Sequence, residues 1–242
     1  MGKITQRLLA VLILAISTGL LVIFTNFHAI AVFDQSETLI QKSHPLPSTL
    51  AQWEDKTNSS DYFEQIKPTP VGYLIWSRFP VRVKVETPRG INQQQGEIWV
   101  KSVLQAIEEW DVYLPLQVVE QREIADITIV RKAPALQVEP NSKIPRARSA
   151  LTTYELYTEN NILSHRFTIL LSPSQTGDYL KAAARHEIGH ALGIWGHSSL
   201  PTDALYFSQV RNPPNISARD VNTLKRVYEQ PTNLGWPISE KS

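Results

Sequence analysis

The residues best equipped for chemistry sit in one run, His186-Glu187-Ile188-Gly189-His190-Ala191-Leu192-Gly193-Ile194-Trp195-Gly196-His197. Histidines four apart lie on one face of a helix, about one turn from each other. That spacing lets both imidazoles reach a single metal ion. Glu187 projects beside them, placed to polarise a water at the metal without being a ligand itself. Gly193 suits a left-handed end to the helix. The chain can then turn back and deliver His197 as the third ligand. Asp203 is the competing third ligand, since carboxylate oxygen also binds zinc. Histidine nitrogens with a fourth position open to water describe a catalytic zinc site rather than a closed structural one.

These side chains need a helix and a turn to hold them, and the surrounding pattern predicts both. Tyr179 to Leu192 has few helix breakers. Ala184, Ile188 and Leu192 share one face of that helix, and His186 and His190 fall on the other side with Glu187 beside them. A helix buried only for packing has little use for such a second face. Upstream, Val81, Val83 and Val85 alternate with Arg82, Lys84 and Glu86, a half-buried strand. Trp99, Val103, Ile107 and Trp110 form a helical stripe within Ile98 to Tyr113. Leu116 to Val119 reads as a weak strand and Ile124 to Val130 as a strong one. Lys132 to Arg146 is a proline-containing excursion. Ala147 to Tyr157, rich in Thr and Tyr, reads as a strand near a sheet edge. Phe167 to Leu171 follows, with Phe167, Ile169 and Leu171 on one face. A last helix spans Ser217 to Glu229, opened by Ser217 and Asp220 in a capping-box pattern.

From about Gly72 to Gln230 the chain resembles the metzincin peptidases, and the matrixin branch most closely. The family pattern is HExxHxxGxxH, a serine, then a turn containing methionine. His186, Glu187, His190 and Gly193 match it position by position, and Ser198 matches the serine. Gly196 stands where the family has its third histidine, so His197 comes one residue late. Leu205 stands where the turn methionine would be, because the only methionine is Met1. Leucine is similar in volume and apolar, which suits the floor that this side chain forms beneath the metal. Tyr206 is expected to be a packed aromatic of that turn, not a ligand. The resemblance implies an α+β fold, a matrixin-like catalytic domain at 71–231 with a twisted mixed β-sheet and long helices. It also implies a zinc-dependent endopeptidase with one catalytic Zn2+ on His186, His190 and His197, and Glu187 as general base. A protein or peptide substrate would lie extended along the edge strand near Arg146 to Tyr154, pairing through its backbone. Arg146 and Arg148 suit acidic substrates, but an ordinary solvated strand face is the expected role. His165 is the only other histidine of the domain and reads as a lone loop residue, so the second, structural zinc of many matrixins is not expected. Calcium stays open, because no acidic cluster stands out. The alternative is a non-catalytic exported zinc-binding module of the same fold.

Composition limits the remaining possibilities. Twenty-four basic and 23 acidic side chains leave a net charge of +1, which gives no polyelectrolyte surface for nucleic acid. Without cysteine no disulfide framework can form, and the thiol-based latency of many matrixins is excluded. Lys3 and Arg7 precede an apolar run from Leu8 to Phe24, and Ala29-Ile30-Ala31 offers a cleavage site. Residues 1–31 therefore read as a signal peptide or signal anchor, with the rest extracytoplasmic, either secreted or held to the membrane by that segment. Residues 32–70, polar and carrying Pro45, Pro47, Pro68 and Pro70, read as a linker or stalk with a short helix near Leu50 to Asp55. Residues 232–242 read as a C-terminal tail. No feature of the sequence fixes an oligomeric state.

Overall fold

The computed structural model describes residues 41–136 and 147–238. The chain divides after Thr38, and the described residues all belong to the unit Leu39–Ser242. The apolar run at 8–24, residues 32–40 and Arg146 lie outside the described residues. No described helix is long and apolar enough to cross a membrane.

The elements in order are α1 (Ser48–Ala51), β1 (Val81–Val85), α2 (Gln93–Asp111), β2 (Leu116–Val118), β3 (Ile127–Arg131), β4 (Ala150–Glu159), β5 (Ile162–Leu171), α3 (Gly177–Ala191) and α4 (Ala218–Tyr228). The fold is α+β. The strands form one mixed sheet in the order β2-β1-β3-β5-β4, parallel except for β4, which runs antiparallel to β5 at one edge. Alternation in β1 buries Val81, Val83 and Val85, as the sequence predicts. Arg82, from the opposite face, chelates Asp126 just before β3, with Nε 2.9 Å from Oδ2 and Nη2 2.7 Å from Oδ1. The β4–β5 hairpin is longer than the pattern suggests, since β5 begins at Ile162 rather than Phe167. Its two-residue loop is Asn160-Asn161, both at positive φ (50° and 62°), a conformation matched to strand twist that asparagine tolerates.

Helix α2 is capped by Asn92, whose side chain accepts from Gln95 N at 2.8 Å. It buries Trp99, Val103, Ala106, Ile107 and Trp110. Helices α2 and α3 pack on each other, α2 also against β1 and β2, α3 against β4 and β5. Trp110 seals this contact, fully buried, with Nε1 donating to the Arg185 carbonyl at 2.8 Å. Helix α4 opens with the expected capping box of Ser217 and Asp220.

Two boundary expectations are corrected. Residues 41–70 are not a stalk. Leu50, Tyr62 and Ile66 lie in the core, at 0%, 5% and 5% exposure. Trp53 Nε1 donates to Asn222 at 2.9 Å, and Arg226 pairs with both Asp61 and Glu64. This segment is a strap laid across α4. Its helical structure is limited to the single turn α1 and a 3-10 turn at Phe63–Gln65. Residues 232–238 are not a tail either. Lys42 and Thr232 exchange backbone hydrogen bonds at 3.1 Å, and His44 stacks on Trp236 at 4.3 Å. Both segments attach through isolated backbone bridges and scattered side chains rather than through regular elements, so no periodic pattern announces them.

Candidate metal centre

Helix α3 delivers the first part of the site. Ala184, Ile188 and Ala191 are buried toward the core, while His186 stays half-buried on the cleft side. The helix stops at Ala191 because Gly193 takes φ +129°, and a Cβ there would stand 3.1 Å from the Leu74 carbonyl oxygen. The orphan carbonyls of its last turn find side-chain donors: Trp76 Nε1 on Ala191 at 2.9 Å and Tyr228 Oη on Leu192 at 3.0 Å. The chain then reverses and brings His197 back. His186, His190 and His197 each present a ring nitrogen within 4.8 Å of the others.

The tautomers follow from the partners. His186 Nδ1 lies 2.9 Å from the Ala204 carbonyl, and His190 Nδ1 lies 2.7 Å from the Ile194 carbonyl. A carbonyl oxygen only accepts, so both Nδ1 atoms carry a proton, and in the neutral ring that leaves the lone pair on Nε2. Those two Nε2 atoms face each other at 3.1 Å. Neutral imidazoles in this arrangement cannot hydrogen-bond and would repel. A cation between them removes the repulsion, and tetrahedral zinc–imidazole bonds set an N···N separation of about 3.3 Å. The donor set therefore fits a metal ion. Burial pulls His190 well below its ordinary pKa, helped by His186 and His197, and burial with His186 nearby pulls His197 down to about 4. Both are unprotonated donors near neutrality.

Glu187 is buried beside them. Burial pushes its carboxyl up, opposed by His186 and by the hydrogen bond from Thr152, whose Oγ1 donates to Oε2 at 2.6 Å. Asp203, the alternative ligand, is committed elsewhere. It accepts from Ser198 Oγ, Ser217 Oγ at 2.8 Å and Arg219 Nε at 3.0 Å, and stands outside the histidine cluster. Leu205 is fully buried and packs on Gly189, where an added Cβ would be 2.7 Å from Leu205 Cδ2. It thus lies behind the helix segment that carries His186 and His190. Tyr206 stacks obliquely on Phe207 at 4.5 Å and lines the cleft.

His165 is a correction. It is not a loop residue but sits in β5, 4% exposed, with its ring stacked on Trp76 at 4.0 Å. Burial pulls its pKa down to about 3. Strand alternation turns it inward at the same parity as Leu163 and Phe167.

Residues that the motif does not reveal hold the site from behind. Asp220, at 0% exposure, accepts from Tyr62 Oη at 2.5 Å, from Ala204 N at 2.9 Å and from the Ser217 cap. Ala204 in turn is the acceptor for His186, so the strap, the turn and α4 converge on that histidine. The strap also meets His197's loop, with Lys67 N donating to the Trp195 carbonyl at 3.3 Å. Gly196 has a reason there, since a Cβ would stand 2.3 Å from the Gln65 carbonyl oxygen. The histidines and Glu187 open into a cleft of about 1020 Å³, walled by Gln65, Lys67 and Pro68 on one side and by Tyr179, Phe207 and Pro213 elsewhere. Arg148 and the start of β4, Ala150 to Thr152, also line it. Comparison with known proteins finds no family model that matches the chain and no curated protein that matches it.

Proposed function

We propose that the chain is an exported zinc-dependent endopeptidase of the matrixin-like metzincin class, with residues 1–31 as its signal peptide or anchor and a protein or peptide as its substrate. The observation that carries this reading is the pair of Nε2 atoms 3.1 Å apart, each ring turned by its Nδ1 on a carbonyl, with His197 closing the group and a buried carboxylate one residue from the first histidine. His186, His190 and His197 would hold the ion. Zinc bound there supplies a Lewis acid that lowers the pKa of water and stabilises charge on a carbonyl oxygen. Glu187 takes the water proton as the scissile carbonyl is attacked and returns it to the leaving amine. Burial favours that task, because it pushes the carboxyl up and so makes it a stronger base than an exposed one. β4 is a sheet edge whose first residues line the cleft, so an extended peptide can pair with it.

The test is cleavage of an unfolded protein by the full zinc-loaded chain, with and without chelator, beside Glu187→Ala. The expected result is chelator-sensitive cleavage by wild type and zinc retention without cleavage by the variant. Equal cleavage by both would rule out Glu187 as the base. A folded, zinc-loaded wild type that cleaves nothing would favour the non-catalytic binding module.

A further inference from the structure

We infer that Thr152 is a positioning residue for Glu187, holding Oε2 so that Oε1 is the oxygen that takes the proton; this rests on the peptidase reading above. Thr152 is 7% exposed and lies on β4, 35 residues from Glu187 in sequence. Its register partner is Ile169, fully buried, and its neighbour on the same face is Ala150. Packing alone asks for an apolar side chain at that point. The hydroxyl instead donates to Glu187 Oε2 at 2.6 Å, a short bond of the charge-assisted kind, and lies 3.2 Å from the Glu187 carbonyl oxygen.

The bond matters because a glutamate has three side-chain torsions and a base must be held near one geometry to act. A β-branched threonine in a strand has a stiff χ1 and makes a firm anchor. Location adds a second consequence. Thr152 belongs to the strand whose outer edge is open to the cleft, so the base and a peptide paired on β4 are positioned by the same element. Any slack between sheet and helix is then removed at the point where proton transfer needs it.

The test uses Thr152→Ser and Thr152→Ala in the full chain. Both delete the methyl group, and they differ only in the hydroxyl. Zinc affinity, thermal midpoint, kcat and KM are measured for each. Thr152→Ala is expected to lose about 10- to 100-fold in kcat, the usual effect of removing an outer-shell partner, with KM within about twofold and zinc affinity unchanged. Thr152→Ser is expected to recover most of the rate. In a Glu187→Ala background, Thr152→Ala should remove nothing further. Equal kcat for the Ser and Ala variants overturns the assignment, as does a rate loss matched by lost zinc affinity. Those outcomes leave the peptidase reading standing. An inactive wild type overturns both.

Discussion

Replacing Gly196 by alanine tests whether the strap and His197, the proposed third ligand, are mechanically joined. Gly196 has no need of a special backbone conformation; its constraint is space. The new Cβ would stand 2.3 Å from Gln65 O and 3.0 Å from both Gln65 C and Ile66 Cδ1. The closest atom is backbone and cannot rotate away, so the oxygen distance must open to at least 3.0 Å. Overpacking of this kind costs about 1–3 kcal/mol. The strain has two outlets. If the strap yields, the Lys67–Trp195 hydrogen bond and the seating of Ile66 weaken, and the metal-free chain unfolds at lower urea. If the loop yields, His197 moves, and zinc affinity falls by roughly tenfold for each 1.4 kcal/mol diverted there. Urea unfolding of the metal-free chain and zinc competition with a chromophoric chelator measure the two separately, and together they should account for the full cost. Gly96→Ala is the control. It lies in α2 with nothing within 4 Å of its Cβ, and alanine there should stabilise by about 0.4–1 kcal/mol. Wild-type stability together with wild-type zinc affinity in Gly196→Ala would refute the coupling.

Other perturbations probe the supports of the site. Tyr62→Phe removes a donor from the buried Asp220 carboxylate and should cost about 1.5–3 kcal/mol by urea unfolding. Glu109→Ala leaves the guanidinium of Arg185, 3% exposed, without its carboxylate, and should cost about 3–5 kcal/mol in the same assay, more than Arg185→Met. His165→Phe tests acid sensitivity. His165 is held at about 3 when folded, against 6.5 ordinarily, so the unfolded chain takes a proton that the folded chain refuses. Stability is therefore lost as pH falls from about 6.5 toward about 3. Between pH 6 and 5 the wild type should lose about 1.4 kcal/mol per pH unit more than the variant, measured on metal-free protein.

The centre of the site is legible because it is local. His186, Glu187 and His190 lie within five positions of one helix, and helical geometry alone converges them. The proposed third ligand, His197, needs the turn, and the sequence leaves Asp203 as a rival until its three hydrogen-bond donors are seen. Ser217 and Asp220 are readable as a helix cap, but not as the anchor of Ala204. Thr152 and Tyr62 act across 35 and 158 residues, and no periodicity carries information over such separations. The strands were signalled where alternation is strong, as in β1. The start of β5 was hidden because its turn uses two asparagines instead of an Asn-Gly pair. The strap was hidden for a different reason. Prolines and polar residues describe its backbone correctly as irregular, yet Leu50, Tyr62 and Ile66 bury regardless of secondary structure.

The convergence on Asp220 also has a consequence in time. The carbonyl that fixes His186 belongs to Ala204, whose amide is tethered to Asp220, which in turn takes the Tyr62 hydroxyl. During synthesis the chain carries its full set of histidines once residue 197 has emerged, but the frame that aims the first of them waits for α4, and α4 must then close against a segment made more than 150 residues earlier. A growing chain therefore holds the three histidines before it holds the contacts that frame His186, and those contacts are complete only when Asp220 and Tyr62 have met.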